Sequence, residues 1–369
     1  MAQTFLELKS IARQALPRLI ENLVMPNLCY KDYSDTYTNL GDTIQVKKPV
    51  VLTANDFTPG DTVTPDEIEE SSVDVKLDKI ATVDVNVGAL QAVHNMDEAK
   101  FITDFIEPAT VALAEKINGA GLDAWKQIPN VLGVAGTTPD GLDDFSAARK
   151  FLNKAKAPLG GRVAVWDPEA DAAFTQIGNL VKVNESGSPR ALREGEIGRV
   201  FGLDNYMAQG VKSHTPGATG TILVDGTGFN VGATQIHVDG LTTAFTVGDT
   251  FTIANDSTKY TVVKAGALST ADQDIDIIPA LQKNAADNAA ITVISAAVQN
   301  LVFHKNAIAF VTRPLHAPVG VDSYTTSFNG FSLRVTRGYD MATKTEKMAM
   351  DVLYNYKVVY PEIAARYLG

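Results

Sequence analysis

TIQVKKPVVL (43–52) and VDVKLDKIATVDVNVGAL (73–90) alternate apolar and polar residues, the period of a strand with one buried face. Between them lies TANDFTPGDTVTPDEIEESS (53–72), rich in Pro, Gly and Thr and carrying Asp56, Asp61, Asp66, Glu67, Glu69 and Glu70. Two such strands joined by a polar segment of about 20 residues make a long hairpin, and connections that long tend to carry function. Its own residues cannot build a core, so the hairpin is expected to lie on another surface.

On the N-terminal side, Phe5, Leu8, Ile11, Ala12, Leu16, Leu19, Ile20 and Leu23 recur at spacings of three and four, an amphipathic helix. Pro17 lies inside it and predicts two short pieces or a bent arm, because proline removes a backbone donor. Such an arm docks on its own core or on a neighbouring copy. Beyond the hairpin, Asn95 and Glu98 form a candidate capping box. Phe101, Ile102, Phe105, Ile106, Ala109, Ala112, Leu113, Ile117 and Ala120 follow as a helical stripe. A helix from Asn95 to Trp125 would be about 45 Å long, bent at Pro108 and exposed to early termination by the Gly-Ala-Gly at 119–121.

From 139 to 211 helix and strand alternate. FSAARKFLNKA (145–155) reads as a helix, RVAVWD (162–167) as a strand, and PEADAAFTQI (168–177) as a helix opening on proline. GSPRALREGEIGRVFGLDNYMAQGV (187–211) runs through a polar loop into a further strand. Then the composition shifts. TILVDG (221–226), TQIHVDG (234–240), FTVGDTFTIAN (245–255), YTVVKAGA (260–267), DQDIDIIP (272–279) and ITVISA (291–296) are six short β-branched runs punctuated by Gly, Asp and Asn. They predict a small antiparallel barrel or sandwich, with helical signal only near 279–288. Three basic and eight acidic residues fall in 214–297, against eight basic and five acidic in 298–369. The chain resumes with LVFHKNAIAFVTRPL (301–315) and ends in strands around FSLRVTRGYD (331–340) and MAMDVLYNYKVVYPEIAARYL (348–368), so 214–297 reads as an insertion in a discontinuous host.

The whole chain has 369 residues, 45% hydrophobic and 20% charged, with 32 basic against 43 acidic side chains. That composition fits a folded, water-soluble protein. The acidic surplus argues against a general nucleic-acid binder, although local basic patches are compatible with it. No apolar run approaches the roughly 20 residues that span a bilayer, and the first residues do not form a signal-peptide core, so a cytoplasmic setting is expected. The single cysteine, Cys29, allows no intrachain disulfide and reads as a small buried hydrophobe.

Chemical signatures are scarce. His94, His214, His237, His304 and His316 show no ligand spacing. Asp272, Asp274 and Asp276 resemble the start of a calcium loop but lack its glycine and distal glutamate, and alternation with Ile275 and Ile277 suits an exposed edge strand better. GTGFNVG (226–232) misplaces the third glycine of a dinucleotide fingerprint and reads as a turn. No nucleophile elbow or phosphate-binding loop occurs. No cofactor, metal or catalytic residue is expected.

The ordered stretches ALPRLIENLVMPNLCYKDYSD (15–35), GDTIQVKKPVVLT (41–53), SVDVKLDKIATVDVNV (72–87), LREGEIGRVFGLDNYMAQ (192–209), NLVFHKNAIAFVTRPL (300–315) and DVLYNYKVVYPEIAARYLG (351–369) resemble a tailed-phage major capsid protein of the Hong-Kong-97 fold. The resemblance is closest to the coat-protein branch of short-tailed enteric phages, whose members carry a β-barrel insertion domain. It implies an α+β fold: N-terminal arm (1–34), extended β-hairpin loop (35–93), long spine helix and peripheral domain (94–138), axial domain (139–213), inserted six-strand barrel-like domain (214–297) and a return through the axial and peripheral domains (298–369). The implied role is a self-assembling icosahedral shell around a double-stranded DNA genome, formed in the host cytoplasm through a procapsid and located in the virion. Its implied partners are further copies of itself in pentamers and hexamers, with scaffolding and portal proteins and no membrane. Subunit-interface candidates are Phe5, Leu8, Leu16 and Leu19 in the arm, the acids Asp61, Glu67, Glu69 and Glu70, and the bases Arg193, Arg199, Arg334 and Arg337 that could meet them on an adjacent copy. Some relatives form isopeptide crosslinks, for which Lys76 or Lys79 would be the donors here, but most of the family, including the insertion-bearing branch, does without them, and none is expected. An encapsulating cellular shell of the same fold is the alternative, and a soluble α/β enzyme with a β-domain insertion a more distant one.

Overall fold

A computed structural model of the chain describes residues 8–31, 43–47, 72–86, 106–182, 190–226, 228–318, 320–328, 330–340 and 345–369. The first part contains α1 (Leu8–Asn22), α2 (Met25–Leu28), β1 (Thr43–Lys47), β2 (Ser72–Lys76), β3 (Lys79–Asn86) and α3 (Glu107–Leu122). Next come β4 (Val131–Gly133), α4 (Leu142–Lys154), β5 (Arg162–Trp166), α5 (Pro168–Phe174), α6 (Gly178–Val181), α7 (Arg190–Glu194), β6 (Arg199–Val200), β7 (Leu203–Met207) and β8 (Ser213–His214). β9 (Thr219–Val224), β10 (Gln235–Thr243), β11 (Thr250–Ile253), β12 (Tyr260–Ala265), β13 (Gln273–Ile278) and β14 (Ile291–Val293) follow. The chain closes with β15 (Ala297–His304), β16 (Ile308–Arg313), β17 (Asp322–Phe328), β18 (Phe331–Asp340), β19 (Thr345–Val358) and β20 (Ala364–Leu368).

Two compact units result. The first takes residues 1–26, 30–117 and 309–359. Its sheet runs β16-β19-β18-β17, with β3 also paired to β19 from Lys347↔Asn86 to Tyr354↔Lys79. α1 packs on β17 and β18 and buries Ile11, Ala12, Ala15, Leu16 and Leu19. Contrary to the sequence expectation, α1 runs through Pro17 without a break. Pro17 is exposed, and the buried face of the helix outweighs the one backbone bond that proline removes.

β1 and β2 pair antiparallel in the register Thr43↔Lys76 to Lys47↔Ser72, which is the base of the expected hairpin. Its connecting residues, with Asp61, Glu67, Glu69 and Glu70, lie outside the described residues, as do Phe5 and the helix start expected at Asn95. The run 73–90 is two strands rather than one. It divides at Leu77 and Asp78 because β2 joins β1 whereas β3 joins β19. α3 is described from Glu107, with Pro108 in its first turn; the part of the expected helix before Ile106, on which a bend at Pro108 depends, lies outside the described residues. The glycines at 119 and 121 do not stop α3, because burial of Ile117 and Leu122 on either side offsets their propensity cost of about 1 kcal/mol each.

The second unit takes 27–29, 118–308 and 360–369. Buried Cys29 belongs to it. One of its sheets is ordered β4-β20-β15-β5-β7-β6, with β8 also on β15. α4 and α5 cover this sheet: Phe145, Ala148, Leu152 and Phe174 close over Trp166, Val302 and Tyr367. Asp167 caps α5 by accepting from the Glu169 amide, with Pro168 at the favoured first position.

The six expected strands form the other sheet, ordered β14-β11-β12-β13-β10-β9. A bridge between Leu223 and Ala290 brings its two ends together, so the sheet is a nearly closed barrel. Alternate residues fill it: Ile222 and Val224, Ile236 and Val238, Phe251 and Ile253, Tyr260 and Val262, Ile275 and Ile277. β13 is not an edge strand, since it pairs with β10 on one side and β12 on the other. Its alternation holds nonetheless, with Gln273, Ile275 and Ile277 buried and Asp274 exposed. Residues 279–288 carry no helix and run as turns, with Ala285 bridging Phe229.

Candidate functional site

Within the second unit the barrel is joined to the neighbouring sheet by a buried polar seam. Its centre is Arg366 on β20, fully buried among Ala364, Ala365, Tyr367 and Leu368. Its guanidinium donates to the Gly248 carbonyl at 3.2 Å, to the Thr250 hydroxyl at 2.8 Å and to the Thr261 hydroxyl, all on the barrel side. It also stands 5.6 Å over the Trp125 ring, a cation–π contact strengthened by the loss of water. No carboxylate compensates the charge among the described residues, and burial pushes the Arg366 pKa down to about 10.

Trp125 and Gly248 fix the approach. Gly248 has φ +101°, and a Cβ there would lie 2.4 Å from the Trp125 ring. Only glycine suits both the conformation and the space. Trp125 also meets His214, at 4.8 Å between ring centroids and tilted by 51°. His214 Nε2 lies 2.7 Å from Asp249 Oδ1, and the Asp249 carboxylate accepts further bonds from the Thr246 amide and hydroxyl, both at 2.9 Å, and from the Gly217 amide at 3.1 Å. Burial pushes the Asp249 carboxyl up, but the donors on His214 and Thr246 outweigh it and hold its pKa below the ordinary carboxylate value.

Entry and exit of the barrel segment lie side by side: β8 pairs with the start of β15, His214 opposite Ala297 and Ser213 opposite Val298. On the barrel's outer face His237 Nδ1 lies 2.7 Å from Asp274 and Nε2 3.5 Å from Asp225. The hydrogen bond with Asp274, helped by the nearby acids, raises its pKa. Among the described residues no three His, Cys, Asp or Glu side chains gather as a metal site, and no helix is long and apolar enough to cross a membrane.

The interface candidates are not brought together. Leu16 and Leu19 are buried against their own sheet, at 2% and 0% exposure, which leaves no surface for a neighbour. Leu8 opens α1. Arg334 is committed within the chain, donating to Asp351 through Nε at 3.0 Å and Nη2 at 2.6 Å and to the His316 carbonyl at 2.9 Å. Arg199 lies 3.6 Å from Asp204. Arg337 stands opposite Asp322 in the β17–β18 register. Arg193 is exposed on α7. The seam residues Arg366, Trp125, Gly248 and Asp249 were not singled out by the sequence. The one signal was an arginine inside AARYL, a strand with no polar alternation to account for it.

Residues 250–368 match the family described as P22 coat protein, gene protein 5. No curated protein matches the sequence. Among solved structures, a chain of Mycobacterium phage Che8 aligns with a TM-score of 0.51 at 17% identity, covering 94% of this chain and 90% of that one. The capsid of Ralstonia phage GP4 aligns at 0.47 and 8% identity over 90% and 83% of the two chains. The mature capsid of bacteriophage PhiM1 aligns at 0.45 and 12% identity over 92% and 86%. Fold and sequence agree: the chain has the Hong-Kong-97-like fold of tailed-phage major capsid proteins, and its residues 250–368 carry the P22 coat-protein pattern.

Proposed function

We propose that the chain is a major capsid protein that self-assembles into an icosahedral shell around a double-stranded DNA phage genome, passing through a procapsid that matures. The observation that carries this reading is the coincidence of a capsid fold over 94% of the chain with a coat-protein sequence match at 250–368. Shells are built from many modest contacts whose multivalency stabilises the whole. A β1–β2 hairpin base whose connecting sequence is long and rich in acids suits a building block that meets further copies of itself. Scaffolding and portal proteins are its proposed assembly partners, and residues 214–297 its proposed insertion domain.

Co-expression with the scaffolding protein from the same genome, followed by size-exclusion chromatography and negative-stain microscopy, tests this. Closed shells or capsomers are expected. A chain that stays monomeric with and without scaffold would overturn the proposal. Shells that assemble without scaffold and enclose protein cargo in place of DNA would point instead to an encapsulating cellular shell.

A further inference from the structure

The exposed side of α4 carries a stripe that the acidic composition of the chain does not foreshadow. Ser146, Arg149, Lys150, Asn153 and Lys154 recur at spacings of three and four and line a shallow groove of about 410 Å³. The opposite side of the helix buries Phe145, Ala148 and Leu152. None of Arg149, Lys150 and Lys154 has an ion-pair partner among the described residues, and Lys156 adds a further exposed cation just past the helix.

Bonded to the lining residue Asn153 lies Arg162, 3% exposed, each of whose three guanidinium nitrogens makes a hydrogen bond that holds the wall. It donates to Asn153 Oδ1 at 2.7 Å, to the Ala157 carbonyl at 2.7 Å and to the Pro158 carbonyl at 2.8 Å. The bond to Oδ1 fixes the Asn153 amide so that its NH2 is left as a donor for a ligand. Arg162 is held below the ordinary arginine pKa first by its burial and then by the charge of Arg149, so these two cations repel one another.

We propose that this groove binds the phosphodiester backbone of a nucleic acid, without reading its sequence. Three cations with a hydroxyl and an amide donor are the set that contacts phosphates. The lining has no apolar or aromatic side chain, whereas protein partners are held mainly by such anchors. The stripe from Ser146 to Lys154 rises about 12 Å, the axial rise of three or four nucleotides of one strand of a duplex at about 3.4 Å each. The contact belongs to the free chain and stands apart from whether the chain builds shells.

Fluorescence polarisation of a labelled DNA duplex against the full chain tests it, beginning near 50 mM salt. Neutralising three phosphates predicts a log–log salt slope near about −2.7, so affinity falls about forty-fold between about 50 and 200 mM salt. The triple variant Arg149→Gln, Lys150→Gln, Lys154→Gln should abolish binding, while the charge-matched control Lys9→Gln, Lys116→Gln, Lys264→Gln should retain it. Both sets lie at exposed positions, and unchanged circular-dichroism melts confirm folding. Absence of binding at low salt, equal binding by the α4 triple, or competition by poly-glutamate as effective as by DNA would overturn the proposal, the last in favour of an acidic polypeptide.

Discussion

Arg366→Ala probes the seam between barrel and sheet, and the structure sets its size. Truncating a large buried side chain to alanine costs about 2–5 kcal/mol through lost contacts and the void left behind. The buried Gly248 carbonyl keeps only the long 3.5 Å bond from the Thr250 hydroxyl, a further cost of about 1–3 kcal/mol. Against this stands the relief of a buried cation that has no carboxylate, worth several kcal/mol after relaxation. The last two offset each other, leaving roughly the void, about 2–4 kcal/mol. For a unit of this size that lowers the melting temperature by about 8 °C. Arg366→Met refills the volume while removing the charge and the donors, so it should lie within about 1 kcal/mol of the wild type. Differential scanning calorimetry of the three proteins reads the shifts, and hydrogen exchange at β11 and β12 reports whether the loosening is at the seam. An alanine variant melting within a degree or two of the wild type refutes the reasoning. So does a methionine variant as damaged as the alanine one, because hydrogen-bond geometry and not packing would then dominate.

Gly248→Ala should destabilise by about 2–4 kcal/mol in chemical denaturation, since its Cβ would strike the Trp125 ring at a positive φ. Pro17→Ala should raise stability by about 1–3 kcal/mol in the same assay, because an exposed proline in a continuous helix only costs it a backbone bond; a loss would show that Pro17 packs. His237 has a raised folded-state pKa, so its contribution is full below its unfolded value near 6.5 and disappears as pH rises through the folded value. Melting temperatures between about pH 6 and 8 should therefore decline in the wild type relative to His237→Gln, and parallel curves would exclude the effect.

Strand alternation made the barrel legible. TQIHVDG and DQDIDIIP each place every second residue inward, and the structure buries Ile236 and Val238 in the first and Gln273, Ile275 and Ile277 in the second. Position within a sheet was not legible, because whether β13 is central or at an edge depends on β10 and β12, which the local pattern of 272–279 does not contain. The same limit explains 73–90, where uniform alternation hides a change of partner between β2 and β3. Pro17 and the glycines of α3 misled in the other direction: local propensity costs about 1–3 kcal/mol, and burying an amphipathic face exceeds that. Of the interface candidates, Arg334 was invisible as an internal pair because Asp351 is its cross-strand neighbour and not its sequence neighbour. Arg366 was the largest omission. A lone arginine near the end of the chain has no motif, and its role follows only from the barrel loop that reaches it.

The pairing of Ser213 and His214 with Ala297 and Val298 has an evolutionary consequence. A segment whose two ends are adjacent can be gained or lost between generations without altering the strand order of the sheet that hosts it. What resists such a swap is the anchoring residue on β20: a lineage that discarded the barrel would expose a cation shaped to meet Gly248, Thr250 and Thr261. Chains of this architecture lacking the segment are thus expected to carry something other than arginine at the position of Arg366, and the two characters should be inherited together.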